Sequence, residues 1–168
     1  MAIINEVDLL SVARKLAQAA HVDQRYGDHP YTYHLLDVAN VLFEFSVWNG
    51  ERLAAAWLHD ALEDTELTRE QIAEACGERV AEIVWRVTDE PGANRAARKA
   101  ATLPKIAADM DAILIKLADR IANVRQCLRD NSALLKMYRK EYQEFSDALR
   151  ARSPVAAEPM WEYLDSVL

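Results

Sequence analysis

The sequence predicts an all-α bundle of about seven to nine helices. Apolar residues recur at helical spacing along nearly the whole chain, and no segment reads convincingly as a strand. Only 4 Gly and 5 Pro stand among the 168 residues, of which 51% are hydrophobic, a composition suited to packed helices.

Each element has its own signal. Leu9, Leu10, Ala13, Leu16, Ala17 and Ala20 mark one face of a first helix that ends near His21. The stretch VDQRYGDHPY reads as a loop broken by Gly27 and Pro30. A second helix starts at Tyr31, with Leu35, Val38, Ala39, Leu42 and Phe43 as its buried stripe, and Asn49-Gly50 closes it in the left-handed conformation. A third runs from about Glu51 to Leu62. Thr68 and Gln71 have the spacing of a capping box, which opens a short helix that stops at Gly77. Glu78 to Thr88 is the next, with Val80, Ile83, Val84 and Val87 inward. DEPGAN is a break, followed by the basic helix RAARKAA, which Pro104 interrupts. Asp111 to Leu128 is the most apolar helix; Asn131 caps another to about Arg150, and Pro159 opens a terminal one over 157–168.

A chain of 168 residues is most simply one domain, spanning 1–168, with enough length for a real core. The net charge of −7 excludes a general nucleic-acid binder, so a phosphorylated ligand needs a local Arg and Lys cluster. Cys76 and Cys127 stand in no metal or redox spacing and read as reduced thiols of a cytoplasmic protein. The N-terminus MAIINEVDLL lacks the apolar core of a signal peptide, and no run approaches the roughly 18 apolar residues of a membrane span. The apolar C-terminal PMWEYLDSVL can dock on its own bundle or on a neighbour, which leaves the oligomeric state open.

The chemistry concentrates in AAAWLHDALEDT. His59 and Asp60 can reach one cation together, and Glu63 and Asp64 follow three and four residues after Asp60 on the same side of the helix. Three acids beside a run of alanines and leucines must be paired or must hold a metal. His34 and Asp119 are likewise polar in apolar periodic stretches, although Asp119 can instead pair with Lys116 or Arg120. Taken together, His34, His59, Asp60 and Asp119 read as a cation site at the bundle centre. Imidazole and carboxylate donors without a thiolate favour Mn²⁺ or Fe²⁺, with Zn²⁺ as the alternative.

The order His34, His59-Asp60, Asp119 resembles the HD superfamily of metal-dependent phosphohydrolases. The segments AAHVDQRYGDHPYTYHLLDVA, AAAWLHDALEDT, VAEIVWRVTDE and IKLADRIANVR are similar, in that order, to the hydrolase domain of Rel/Spo-type alarmone enzymes, above all to the free-standing small alarmone hydrolases. The resemblance covers about residues 10–145 and implies an HD-type helical bundle. It implies a Mn-dependent 3′-pyrophosphohydrolase of (p)ppGpp or (p)ppApp. The chain ends too early for the synthetase or regulatory domains of the long enzymes, so it implies hydrolysis only.

Residue by residue, the resemblance makes His34, His59, Asp60 and Asp119 the Mn²⁺ ligands, and Glu63 and Asp64 the acids that position and deprotonate the attacking water. A carboxylate one helical turn from a ligand agrees with that role. It also implies that Arg25 packs on the purine, that Asn123 faces the nucleoside, and that Lys99 and Arg139 bind phosphate; the residues alone allow Lys99 to be a surface charge. Leu35 stands where the family usually has proline, Ala122 where it often has His or Tyr, and the segment from Thr88 to Asp119 is short. These departures touch substrate preference and leave the ligands and acids in place. The rival readings are an HD phosphohydrolase of NADPH 2′-phosphate or of a nucleotide monophosphate, and a non-catalytic nucleotide-binding module.

Overall fold

The computed structural model describes residues 6–168; the first five residues of the N-terminal segment MAIINEVDLL lie outside it. The elements are α1 (Glu6–Ala20), β1 (Arg25–Tyr26), β2 (His29–Pro30), α2 (Thr32–Glu44), α3 (Gly50–Leu58), α4 (Ala61–Asp64), α5 (Arg69–Cys76) and α6 (Glu78–Val87). They continue with α7 (Arg95–Ala107), α8 (Met110–Arg129), α9 (Leu134–Leu149) and α10 (Glu158–Val167), with two 3₁₀ turns between the last pair. Setting aside the single turn α4, nine α-helices stand among the described residues, in line with the expected all-α bundle.

Two helices form the centre. In α3 every residue from Leu53 to Leu58 is buried, because α1, α2, α6 and α8 pack around it. The run Ala54-Ala55-Ala56 keeps that helix slim enough for close approach on all sides. The second, α8, is also apolar on nearly every face, with Ile113, Leu114, Ile115, Leu117, Ala118, Ile121, Ala122 and Val124 buried. Asp109 caps its start by accepting from Asp111 N and Ala112 N at 2.9 and 3.1 Å. The Arg79 guanidinium grips that cap, donating to Asp109 at 2.6 and 3.0 Å. At the other end, α10 seats Trp161 in the core, where its Nε1 donates to Ser153 Oγ at 3.0 Å.

The capping box forms as expected: Gln71 N donates to Thr68 Oγ1 at 3.3 Å and Thr68 N to Gln71 Oε1 at 2.9 Å. Gly77 ends the helix at φ 92°. Thr68→Ala is expected to cost about 1 kcal/mol, read as a fall in Tm of roughly 2–4 °C in a thermal melt.

Elsewhere the structure corrects the expectations. The early loop folds into a two-stranded antiparallel hairpin, pairing Arg25 with Pro30 and Tyr26 with His29. Gly27 supplies the left-handed φ of 58° that its two-residue turn requires. Ser46, at φ 56°, makes the left-handed turn after α2; Asn49 is extended and caps α3 instead, accepting from Arg52 N at 2.8 Å. Phe43 lies outward against Trp48, and Val41 takes its place in the core. The third helix does not run on to Leu62 but breaks at His59-Asp60. Pro104 sits inside α7 without interrupting it. Asn131 adopts φ 49° just beyond α8, and α9 starts three residues later, at Leu134.

Candidate active site

The break after α3 turns two adjacent side chains toward α2 and α8. His59 is fully enclosed, and its Nδ1 lies 2.8 Å from the Ala56 carbonyl oxygen. A carbonyl only accepts, so Nδ1 carries a ring proton and Nε2 is the atom left to face Asp60, Asp119 or a metal ion. Nε2 has no hydrogen-bond partner among the described residues, although Asp60 Oδ2 stands 2.9 Å away. From the first turn of α2, His34 brings Nε2 to 3.4 Å from Asp119 Oδ1 and 3.7 Å from Asp60 Oδ2. Asp119 Oδ1 is 3.8 Å from His59 Nε2. One ligand atom each of His34, His59 and Asp119 lies within 4.8 Å of the others, a group able to hold a metal ion. Asp60 stands beside this group, nearest His59, and is not one of the three.

Surrounding groups aim these donors. Tyr31 donates from its hydroxyl to Asp60 Oδ2 at 2.6 Å and lies 3.5 Å from Asp64 Oδ2. Burial and the Asp60 carboxylate push the Tyr31 pKa far up, so it remains a donor. Tyr26, carried on the hairpin, stacks on the His34 ring at 4.8 Å and donates to Asn123 Oδ1 at 3.0 Å. Asn123 in turn donates to the Asp119 side chain and, at 3.1 Å, to its carbonyl. The hairpin therefore braces the two residues it overlies, His34 and Asn123. Lys116 Nζ pairs with Asp119 Oδ2 at 3.1 Å, the partner that the sequence offered as an alternative to metal binding. That pair uses Oδ2 while Oδ1 faces the histidines, so the two readings coexist.

The charges are those of a cation site. Burial opposes a charge on His59, yet Asp60 and Asp119 outweigh it and raise its pKa to about 9. Burial also works to raise Asp60 and Asp119, but His59 beside the first and Lys116 beside the second hold both below the usual carboxylate range. The acids call for positive charge here, and a divalent ion that displaces the proton on His59 Nε2 fits the imidazole and carboxylate donor set.

His34, Asp60 and Asp119 line a polar cleft of roughly 200 Å³, while His59 is buried beside them and does not line it. Lys116, Asp119, Arg120 and Asn123 all line it, one polar stripe at helical spacing on the otherwise apolar α8. Arg95, Arg98 and Lys99 line the opposite wall from α7. Lys99 is held by Asp89 at 2.8 and 2.9 Å and is a cleft residue, not a surface charge. Glu63 also lines the cleft and accepts from Asp89 N at 3.2 Å. Asp64 turns to the other side of α4, near Tyr31, where burial and the Asp60 charge raise its pKa. Arg25 is exposed and donates to the Asp28 carbonyl; Arg139 is exposed and lies 3.4 Å from the Val167 carbonyl oxygen. Neither lines the cleft.

Sequence reasoning missed Arg95, Arg98, Lys116 and Arg120 as cleft residues. The signal was there as spacing: residues 95, 98 and 99, and residues 116, 119, 120 and 123, repeat at one face of their helices.

A family model described as HD domain matches residues 13–155. The chain is 40% identical over 118 residues to a guanosine-3′,5′-bis(diphosphate) 3′-pyrophosphohydrolase of Aquifex aeolicus (strain VF5), a match covering 67% of this chain and 17% of that protein. It is 37% identical over 120 residues to guanosine-3′,5′-bis(diphosphate) 3′-pyrophosphohydrolase MESH1 of Danio rerio, covering 67% of this chain and 66% of that one. The chain thus spans a small part of the first of these relatives and about two thirds of the second. A solved structure described as a metazoan ortholog of SpoT that hydrolyzes ppGpp superposes with a TM-score of 0.78 at 26% identity, covering 94% of each chain.

Proposed function

The chain belongs to the HD-domain family, and on that footing we propose that it is a metal-dependent 3′-pyrophosphohydrolase of guanosine 3′,5′-bis(diphosphate), its pentaphosphate or their adenosine counterparts. The observation that carries this reading is the convergence of His34, His59 and Asp119, with Asp60 beside them, below a cleft walled by cations. Similarity to relatives named for this activity supports it. Residues 1–168 are taken as one such domain, α10 included, acting in the cytoplasm with Cys76 and Cys127 as free thiols.

His34, His59, Asp60 and Asp119 are assigned to the ion, Mn²⁺ by preference, with Fe²⁺ or Zn²⁺ as alternatives. When bound, a divalent ion supplies positive charge to the reacting phosphate and lowers the pKa of water. Water adds to the phosphorus on the 3′-oxygen, the bond from that phosphorus to the 3′-oxygen breaks, the 3′-oxygen takes up a proton to become the hydroxyl, and pyrophosphate leaves carrying the water's oxygen. Glu63 and Asp64 orient that water and take its proton. Lys99 and Lys116 offset the charge gathered on the departing pyrophosphate. Asn123 is placed near the sugar. Arg25 and Arg139, outside the cleft, are assigned to the base and phosphates that extend beyond it.

Tyr31→Phe removes the hydroxyl that holds Asp60, so it is expected to weaken Mn²⁺ affinity by roughly 10–100-fold while the melt stays nearly unchanged. Isothermal titration with Mn²⁺ checks this.

The function itself is tested by incubating the full chain with Mn²⁺ and a panel of guanosine and adenosine bis(diphosphates), NADPH and nucleoside monophosphates. Pyrophosphate release from the bis(diphosphates) is the expected result. Phosphate release from NADPH or a monophosphate instead would redirect the proposal to another nucleotide. Tight binding without turnover would make the chain a nucleotide-binding module.

A further inference from the structure

Behind the cleft lies a second cavity of roughly 280 Å³ between α7, α8 and α9. The two cavities share Arg95, Lys99 and Arg120 in their walls. Glu141 of α9 lines only the rear one, and its carboxylate holds Arg95 by two hydrogen bonds of 2.6 and 3.1 Å. Arg120 is 5% exposed, and its Nη1 lies 3.7 Å from Glu141 with no hydrogen-bond partner among the described residues. The rings of Phe145 and Tyr138, 4.4 and 4.8 Å from the guanidinium carbon, take charge through their faces but accept no in-plane hydrogen bond. A buried guanidinium donor without an acceptor is costly and marks a place where an anion fits.

Size points the same way. Small-molecule sites run to about 300–1,000 Å³, and the cleft of roughly 200 Å³ falls short of that range alone. Joined to the rear cavity, it reaches the range.

We infer that Glu141 is an internal stand-in for phosphate: a diphosphate group of the ligand displaces it from Arg95, supplies the acceptor that Arg120 Nη1 lacks, and joins the two cavities. The inference rests on the pyrophosphohydrolase reading for the identity of the ligand, and on the geometry alone for the anion site. Glu141 is then a specificity-determining residue. Its own charge repels weak or singly charged anions, and a diphosphate, with more charge and more oxygens, can replace it.

The test is isothermal titration of the full chain, as purified, with inorganic pyrophosphate. Glu141→Gln keeps the size and removes the charge, so binding should tighten on the order of tenfold, equal to about 1.4 kcal/mol. Arg95→Gln should weaken binding, and Glu141→Gln/Arg95→Gln should lose most of the gain. Binding no tighter in Glu141→Gln, or a gain that persists in full without Arg95, overturns the inference. If Glu141→Gln fails to fold by thermal melt, Glu141→Ala is the substitute: it removes the competing charge and leaves Arg95 in place, and must tighten binding too. The readout needs no turnover. A chain that behaves this way yet hydrolyses no bis(diphosphate) would retire the function and keep the gate, while an active chain without the gain would do the reverse.

Discussion

Asp119→Asn is expected to abolish Mn²⁺ binding and turnover, and to destabilise the protein as well. Outer partners of a metal site cost roughly 10–100-fold in affinity when removed, and a direct ligand should cost more. The stability effect comes from a different neighbour. Lys116 Nζ lies 3.1 Å from Asp119 and is 12% exposed, so it would lose its closest counter-charge inside the protein. Leaving one buried charge uncompensated costs about 3 kcal/mol, a fall in Tm of roughly 10 °C for a domain of this size. The double variant Asp119→Asn/Lys116→Met removes the stranded charge and should recover most of the Tm without recovering Mn²⁺ affinity. Differential scanning calorimetry and Mn²⁺ titration separate the two effects. An Asp119→Asn protein that binds Mn²⁺ as tightly as the parent would remove Asp119 from the ligand set.

Glu63→Gln is expected to lower kcat by roughly 10²–10⁴-fold, the range for losing a general base, with Mn²⁺ affinity and Tm nearly unchanged. Glu63 is exposed on the cleft wall, and among the described residues its one hydrogen bond comes from the Asp89 backbone at 3.2 Å. Little of the fold depends on it. Asp64 faces the other side of α4, so Asp64→Asn should give the smaller loss of the two. Its raised pKa suits proton acceptance, and its nearness to the Tyr31 hydroxyl links it to Asp60. Steady-state kinetics on both variants, with Mn²⁺ saturating, decide the order. Full activity in Glu63→Gln would take the proton-accepting role away from that residue.

The helices were legible wherever burial imposed the period, as along Val80, Ile83, Val84 and Val87 or along α8. The capping box was legible because Thr68 and Gln71 carry their partners within one turn. Positions whose conformation depends on remote packing were not. Pro104 reads as a breaker, but α7 continues through it. Asn49-Gly50 suits a left-handed turn, but Asn49 serves the next helix as its cap. The hairpin is two residues per strand, too short for any alternation to register. At the site, His34, His59, Asp60 and Asp119 stood out because polar residues interrupt apolar runs there. The cations were harder. Arg95 and Arg98 look like an ordinary solvated helix face, and only the folded chain shows that α9 and α8 turn that face into a wall.

The enclosure of α3 has a consequence for what this protein tolerates. A bulkier side chain at Ala54, Ala55 or Ala56 has no free surface to expand into, since neighbouring helices close off each direction. Relief must come as a slide along the axis, and the far end of that axis is His59. Packing errors deep in the interior should thus register as misaligned imidazole before they register as unfolding, making activity a finer gauge of interior fit than any melting curve.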